Sequence, residues 1–186
     1  MSQARPDMEG VAELIATAAA EIILPRFRAL RDGEIDEKDG GELVTIADIE
    51  TEAWLTQRLP ELVPGSTVVG EEAVFADKSV FDRLSGDDPV WVIDPVDGTW
   101  NFANGRSTFA VIVAYVVRGE VEAGWIYEPV SGALAVGARG DGVRLDGREV
   151  ALGKVETEAD FVGTAARYLR ERAEQAPETV REVFRP

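Results

Sequence analysis

The chain contains no cysteine and no histidine, and the two absences remove whole classes of chemistry. Without Cys there is no thiolate nucleophile and no disulfide framework, which makes the cytoplasm the expected compartment. Without His there is no Ser-His-Asp triad, no imidazole acid or base, no phosphohistidine and no zinc site of the usual nitrogen and sulfur kind. Basic side chains are scarce as well: 19 Lys and Arg stand against 35 Asp and Glu, a formal net charge of -16. Such an acidic surface repels phosphate backbones and anionic lipid headgroups, so neither nucleic acid nor membrane is an expected partner. The apolar run 11–24 is broken by Glu13 and Glu21 and is too short to cross a bilayer, and no secretory pattern precedes it. Any hydrolytic chemistry must run on carboxylates, hydroxyls, Lys or Arg, and hard metal ions.

What is present is enough for a real core: 186 residues, 45% of them hydrophobic, suit one domain or one domain and the start of another. Asp7 is placed to cap a helix whose apolar positions Val11, Leu14, Ile15, Ala18, Ala19 and Ile22 follow the helical period, and Pro25 kinks or ends it. The polar stretch 31–42, with Gly33, Gly40 and Gly41, reads as a hairpin or mobile loop. A second helix is expected over 45–62, with Ile49, Ala53, Leu55, Leu59 and Leu62 available for one face and Pro64-Gly65 as a stop. The period then becomes extended. Runs 67–70 and 90–93 each end in acidic residues, 109–117 and 121–127 form a hairpin signal, and 133–138 and 142–145 continue it, with turns at Gly140 and Asp146-Gly147. One more strand is expected at 161–165 and the opening of a helix at 177–184. Helices first and hairpins after argue an α+β fold, two N-terminal helices packed on a largely antiparallel sheet.

The chemically informative segment is 91–102, WVIDPVDGTWNF. Asp94 and Asp97 flank Pro95-Val96 directly after a strand; Pro95 fixes its own backbone angle and lacks an amide hydrogen, so the chain is expected to leave the sheet there and to free the Val96 carbonyl for a cation. Two carboxylates and a carbonyl make half of a hard-metal cage. Gly98 and Thr99 follow, where small residues let backbone amides approach a phosphate and a hydroxyl can hold a water or a phosphate oxygen. Taken alone, a D-x-x-D-G run is equally a polar turn. Glu71 and Glu72 follow Val68-Val69-Gly70 as a second acidic pair that in isolation would be an exposed one, and Asp48 stands at a loop-to-helix junction where capping is a competing role.

Together, LVTIAD, VVGEE, WVIDPVDGTWNF and GWIYEPVSG resemble, in order and over nearly the whole chain, the successive motifs of the inositol monophosphatase family. That family consists of lithium-sensitive, Mg²⁺-dependent phosphatases built from layered α and β domains. The resemblance implies that Glu71, Asp94, the carbonyl of Val96 and Asp97 bind Mg²⁺, with Glu72 the weaker ligand. It implies that Asp48 pairs with Thr99 or reaches a metal through water, that Gly98 and Thr99 seat the phosphate, and that Glu71 and Thr99 orient a metal-activated water for in-line attack. Lys38 is a looser match to the family's mobile-loop lysine. The implied reaction is hydrolysis of a small phosphorylated polyol or amino alcohol, inositol 1-phosphate first and histidinol phosphate as the alternative, by a homodimer. Trp54, Trp91 and Trp125 are expected to pack in the core, Trp100 to line the site and Asn101 to tie the loop together.

The resemblance divides the chain into an N-terminal metal- and phosphate-binding domain, 1–157, and the start of a C-terminal α/β domain, 158–186. Family members carry a W-D-x-A motif in that second domain, whose aspartate completes a second metal site, and the 186 residues contain no equivalent. A longer parent protein is the expectation. Were these residues the entire protein, they would form a catalytically incomplete metal-binding fragment, with weaker cation binding and an exposed apolar face.

Overall fold

The computed structural model describes residues 5–38 and 41–151. The strand expected at 161–165, the helix at 177–184 and the proposed domain 158–186 lie outside the described residues.

Helix α1, Met8–Ala18, begins at Asp7, whose side chain accepts from the Glu9 amide, and it buries Val11, Ile15 and Ala18. It runs on through a π-helical turn, Ala19–Ile23, and a 3-10 turn, Leu24–Arg26, that contains Pro25. Pro25 thus ends a helix already loosened by an extra residue per turn. Strands β1, Ile35–Glu37, and β2, Leu43–Thr45, pair antiparallel, the hairpin alternative for 31–42. Helix α2, Ile46–Leu62, starts in a capping box, with the Thr45 hydroxyl accepting from the Ala47 amide and the Asp48 carboxylate accepting from the Thr45 amide at 2.9 Å. Its buried face is Ala47, Asp48, Thr51, Glu52, Leu55 and Leu59, whereas Ile49 and Ala53 face outward. The apolar face expected from the sequence therefore holds only in the second half; the first half turns its polar side inward.

A seven-stranded sheet in the order β3 to β9 carries the rest of the described chain. Strands β3, Thr67–Gly70, and β4, Val90–Asp97, run parallel, and every later neighbour is antiparallel. The parallel pair needs a crossover, and it contains the short helix α3, Glu71–Ala76, followed by a 3-10 segment, Lys78–Ser85. The turn between β5, Ala110–Val117, and β6, Glu120–Tyr127, is Arg118-Gly119, both at positive φ, the backbone that suits a tight hairpin. Strands β7, Leu134–Ala138, β8, Gly142–Leu145, and β9, Arg148–Glu149, complete the meander.

One face of the sheet packs on α1 and α2 through Trp91, Ile93, Val113, Tyr115 and Trp125. The two buried indoles each find an acceptor, Trp91 at Ser66 Oγ (3.0 Å) and Trp125 at the Met8 carbonyl (3.1 Å), so their burial leaves no orphaned N–H. Over β3 to β5 the opposite face is covered by Val74, Val80 and Leu84 of the crossover. Farther along no described residue covers it, and Ile126, Val143 and Leu145 are 46–48% exposed.

Candidate metal and phosphate site

Parallel pairing aligns Gly70 with Ile93, so Glu71, just past the carboxyl end of β3, comes next to Asp94 in the second half of β4. Glu71 and Glu72, read from the sequence as an acidic pair following a strand, form the first turn of the helix α3. Asp94 and Asp97 both lie within β4, which continues to pair with β5 at Asp97; the ladder register shifts between them. The chain therefore does not leave the sheet at Pro95, as expected from its missing amide hydrogen, because a bulge absorbs that missing donor.

Asp94 is the chemically strained member. Its Oδ1 is buried and has no hydrogen-bond partner among the described residues. Its carboxyl is pushed up to about 7 by burial first, then by the negative charges of Glu71 and Asp97 and a side-chain hydrogen bond with Glu71 that favours the protonated form, with a smaller push from Asp48. Asp48 is pushed up to about 6 by burial, against hydrogen bonds from Thr45 and Thr99 that favour its ionised form, with the charge of Glu72 adding to the rise. The fold thus brings Glu71, Asp94, Asp97 and Asp48 within electrostatic reach of one another.

Thr99 opens the short helix α4, Thr99–Ala103, with Gly98 as its cap at φ +88°. A Cβ on Gly98 would lie 3.1 Å from the Thr108 carbonyl, so the tight approach as well as the angle calls for glycine. The Thr99 hydroxyl lies 3.1 Å from Asp48 Oδ1 and 3.0 Å from the Val96 carbonyl and can donate to either. The Val96 carbonyl consequently has a hydroxyl neighbour, while the Val96 side chain is wholly buried. Phe27 stacks on Phe102, Phe109 packs tilted on the first and edge-on to the second, and Asn101 donates to the Thr108 carbonyl at 2.8 Å. Trp100 is 52% exposed and Arg106 lies over its ring. Trp91 and Trp125 are core residues and Trp54 is half-buried against the core.

Two participants were not legible in their roles. Lys38, 3% exposed at its side chain, donates to Glu71 Oε1 at 2.8 Å and Glu72 Oε1 at 2.7 Å. Burial works against its charge, but the hydrogen bonds and charges of the two glutamates outweigh that and raise its pKa. Glu52, absent from the sequence-derived site, accepts from the Glu72 amide at 2.8 Å and the Ala73 amide at 2.9 Å. The signal was available: Glu52 is four residues after Asp48, one turn along the same helix face.

Among the described residues no three acidic side chains close around a common point tightly enough to enclose a cation as they stand, and the Lys38 ammonium holds Glu71 and Glu72. The donor set nevertheless fits a hard divalent cation. It consists of oxygens alone, it includes a buried carboxylate oxygen with no donor, and it carries more negative charge than one lysine neutralises.

The sequence profile described as the inositol monophosphatase family matches residues 6–183. The chain belongs to the inositol monophosphatase family. It is 33% identical over 158 residues to Nus factor SuhB of Pseudomonas aeruginosa, covering 84% of this chain and 57% of that protein. Over 146 residues it is 32% identical to inositol monophosphatase 1 of Rattus norvegicus, covering 78% and 51% respectively. Among solved structures it is similar to the Thermotoga maritima IMPase, with TM-score 0.72 and 22% identity over 90% of this chain and 63% of that one. It is also similar to inositol monophosphatase II of Staphylococcus aureus, with TM-score 0.66 and 27% identity over 87% and 56%. The chain spans about half the length of the curated inositol monophosphatase and SuhB relatives it matches.

Proposed function

We propose that this chain supplies the cation- and phosphate-binding part of a Mg²⁺-dependent phosphomonoesterase acting on a small phosphorylated polyol or amino alcohol, with inositol 1-phosphate the leading substrate and histidinol phosphate the alternative. The observation that carries this reading is the buried, unpartnered Asp94 Oδ1 among Glu71, Asp97 and Asp48. So many carboxylates crowded at strand ends repel one another, and a divalent cation is the ligand that turns that repulsion into binding.

In this reading Glu71, Asp94, Asp97 and the Val96 carbonyl hold magnesium, with Glu72 as a weaker ligand. The bound ion supplies Lewis acidity, which activates water and neutralises phosphate charge. With a cation bound, Glu71 and Glu72 would no longer need Lys38 as their counter-charge, and its ammonium could face the anionic substrate. Gly98 and Thr99 seat the phosphate, since the first turn of a helix leaves its leading amides without acceptors of their own. Thr99, with Glu71, orients the attacking water, and Asp48 takes the hydroxyl proton bond that holds Thr99 in place. No step requires a covalent intermediate, in keeping with a chain that lacks Cys and His.

The test is phosphate release from a panel containing inositol 1-phosphate and histidinol phosphate, with Mg²⁺ and with chelator, using both this chain and the same residues within a longer parent. Mg²⁺-dependent release from either ester supports the reading. Release from neither overturns the enzyme assignment, and calorimetric Mg²⁺ binding in that case would leave a cation-binding module.

A further inference from the structure

We propose that Glu52 is a positioning residue of the cation site: from α2 it clamps the first two amides after Glu71 and so fixes where the Glu71 and Glu72 carboxylates hang. This rests on the cation-binding reading above.

Both oxygens of Glu52 are engaged, Oε2 by the Glu72 amide at 2.8 Å and Oε1 by the Ala73 amide at 2.9 Å. The residue is only 6% exposed. A bidentate clamp on successive amides fixes the direction in which the backbone leaves β3, which a single-oxygen cap would not do. Gly70 is shaped around it, since a Cβ there would lie 2.2 Å from the Glu52 carboxyl carbon. No Lys or Arg pairs with Glu52 among the described residues, where Lys38 binds Glu71 and Glu72 and Arg26 binds Glu50.

That combination is hard to explain as fold stabilisation. A buried carboxylate without a cationic partner costs stability, and a serine or threonine caps a helix without that cost. Keeping the negative charge next to Glu71 and Glu72 makes sense if a cation sits among them. Asp48, one turn earlier on α2, accepts from the Thr99 hydroxyl through a single oxygen. One helix face thereby sets both the acidic turn after β3 and the phosphate loop after β4.

The test is Mg²⁺ titration by calorimetry of the wild-type chain, Glu52→Gln, Gly70→Ala and, as a control on the same helix, Glu61→Gln. Glu52→Gln is expected to bind Mg²⁺ about ten- to a hundred-fold more weakly, as changes behind a metal's own ligands do. Gly70→Ala alters no charge but pushes a methyl group into the clamp, and it is expected to weaken binding in the same direction. Glu61→Gln should stay within about two-fold of wild type, because surface substitutions away from a site change little. A plain capping role would lower the melting temperature of Glu52→Gln and leave its Mg²⁺ affinity within two-fold; that result overturns the proposal and leaves the cation reading standing. A wild-type chain that binds no Mg²⁺ overturns both. Should Glu52→Gln fail to fold, Gly70→Ala decides: unchanged affinity there overturns the proposal.

Discussion

At the scale of single residues, Asp94 concentrates the tension in the site. In cation-free protein its ionisation is opposed by burial and by its acidic neighbours, so Asp94→Asn should stabilise the chelated chain by on the order of 1 kcal/mol. If the proposed cation site binds Mg²⁺, the ion should raise the melting temperature of the wild type and not of Asp94→Asn; melting curves with chelator and with Mg²⁺ read both effects. The pH dependence follows from the same groups. Asp94 and Asp48 have folded pKa values raised to about 7 and about 6, so the folded state holds their protons more tightly than the unfolded chain. Their contribution to stability is complete below the ordinary carboxylate range and is lost as pH rises through about 6 and 7. In the proposed site Mg²⁺ would take the place of those protons, so its stabilising increment should be larger at about pH 8 than at about pH 5. An increment that does not change over that range would contradict the shared site. Gly98 is a backbone requirement: with φ at +88° and the Thr108 carbonyl close by, Gly98→Ala should cost roughly 1–2 kcal/mol or more in chemical unfolding.

At the scale of elements, α2 does two jobs. Its far half is ordinary core, where Leu55 is fully buried and Leu55→Ala should cost about 2–5 kcal/mol in urea unfolding. Its near half spends its inward face on Asp48, Thr51 and Glu52. Thr45 caps that half and touches Asp48 from both its amide and its hydroxyl, so Thr45→Ala should cost about 1 kcal/mol. It should also weaken Mg²⁺-dependent stabilisation, by loosening Asp48 and through it Thr99. Helical period foresaw the element and its bounds within a residue, but apolar period chose Ile49 and Ala53 for the inner face, and both are outside. Hydrophobicity cannot say which way a polar stripe points when the neighbour it meets is a functional site.

At the scale of the whole molecule, strand periodicity foresaw the meander from β5 to β8, because alternation and turn residues are local signals. The parallel pairing of β3 with β4 was not legible, since it depends on a crossover whose helix α3 has only six residues. The open face beyond β5 presents a row that register aligns as Ile112, Ile126, Ala135 and Leu145, beside Ala114, Gly124, Gly137 and Val143. A patch of this kind binds apolar dyes. Dye fluorescence should fall in Ile126→Lys/Leu145→Lys, while the unfolding midpoint shifts by no more than about 0.5 kcal/mol, because both side chains are nearly half exposed.

The sequence by itself determined which chemistry was available and which residues could carry it: with neither Cys nor His, the acidic turns of WVIDPVDGTWNF and VVGEE were the candidates, and their order gave the family. Only the tertiary structure decided that Lys38 bridges Glu71 and Glu72, that Glu52 grips the Glu72 and Ala73 amides in the first turn of α3, and that one oxygen of Asp94 is buried without a partner. Residue type and spacing are properties of the local chain. Burial, charge crowding and the pairing of groups tens of residues apart arise only when helix and strands are packed against each other.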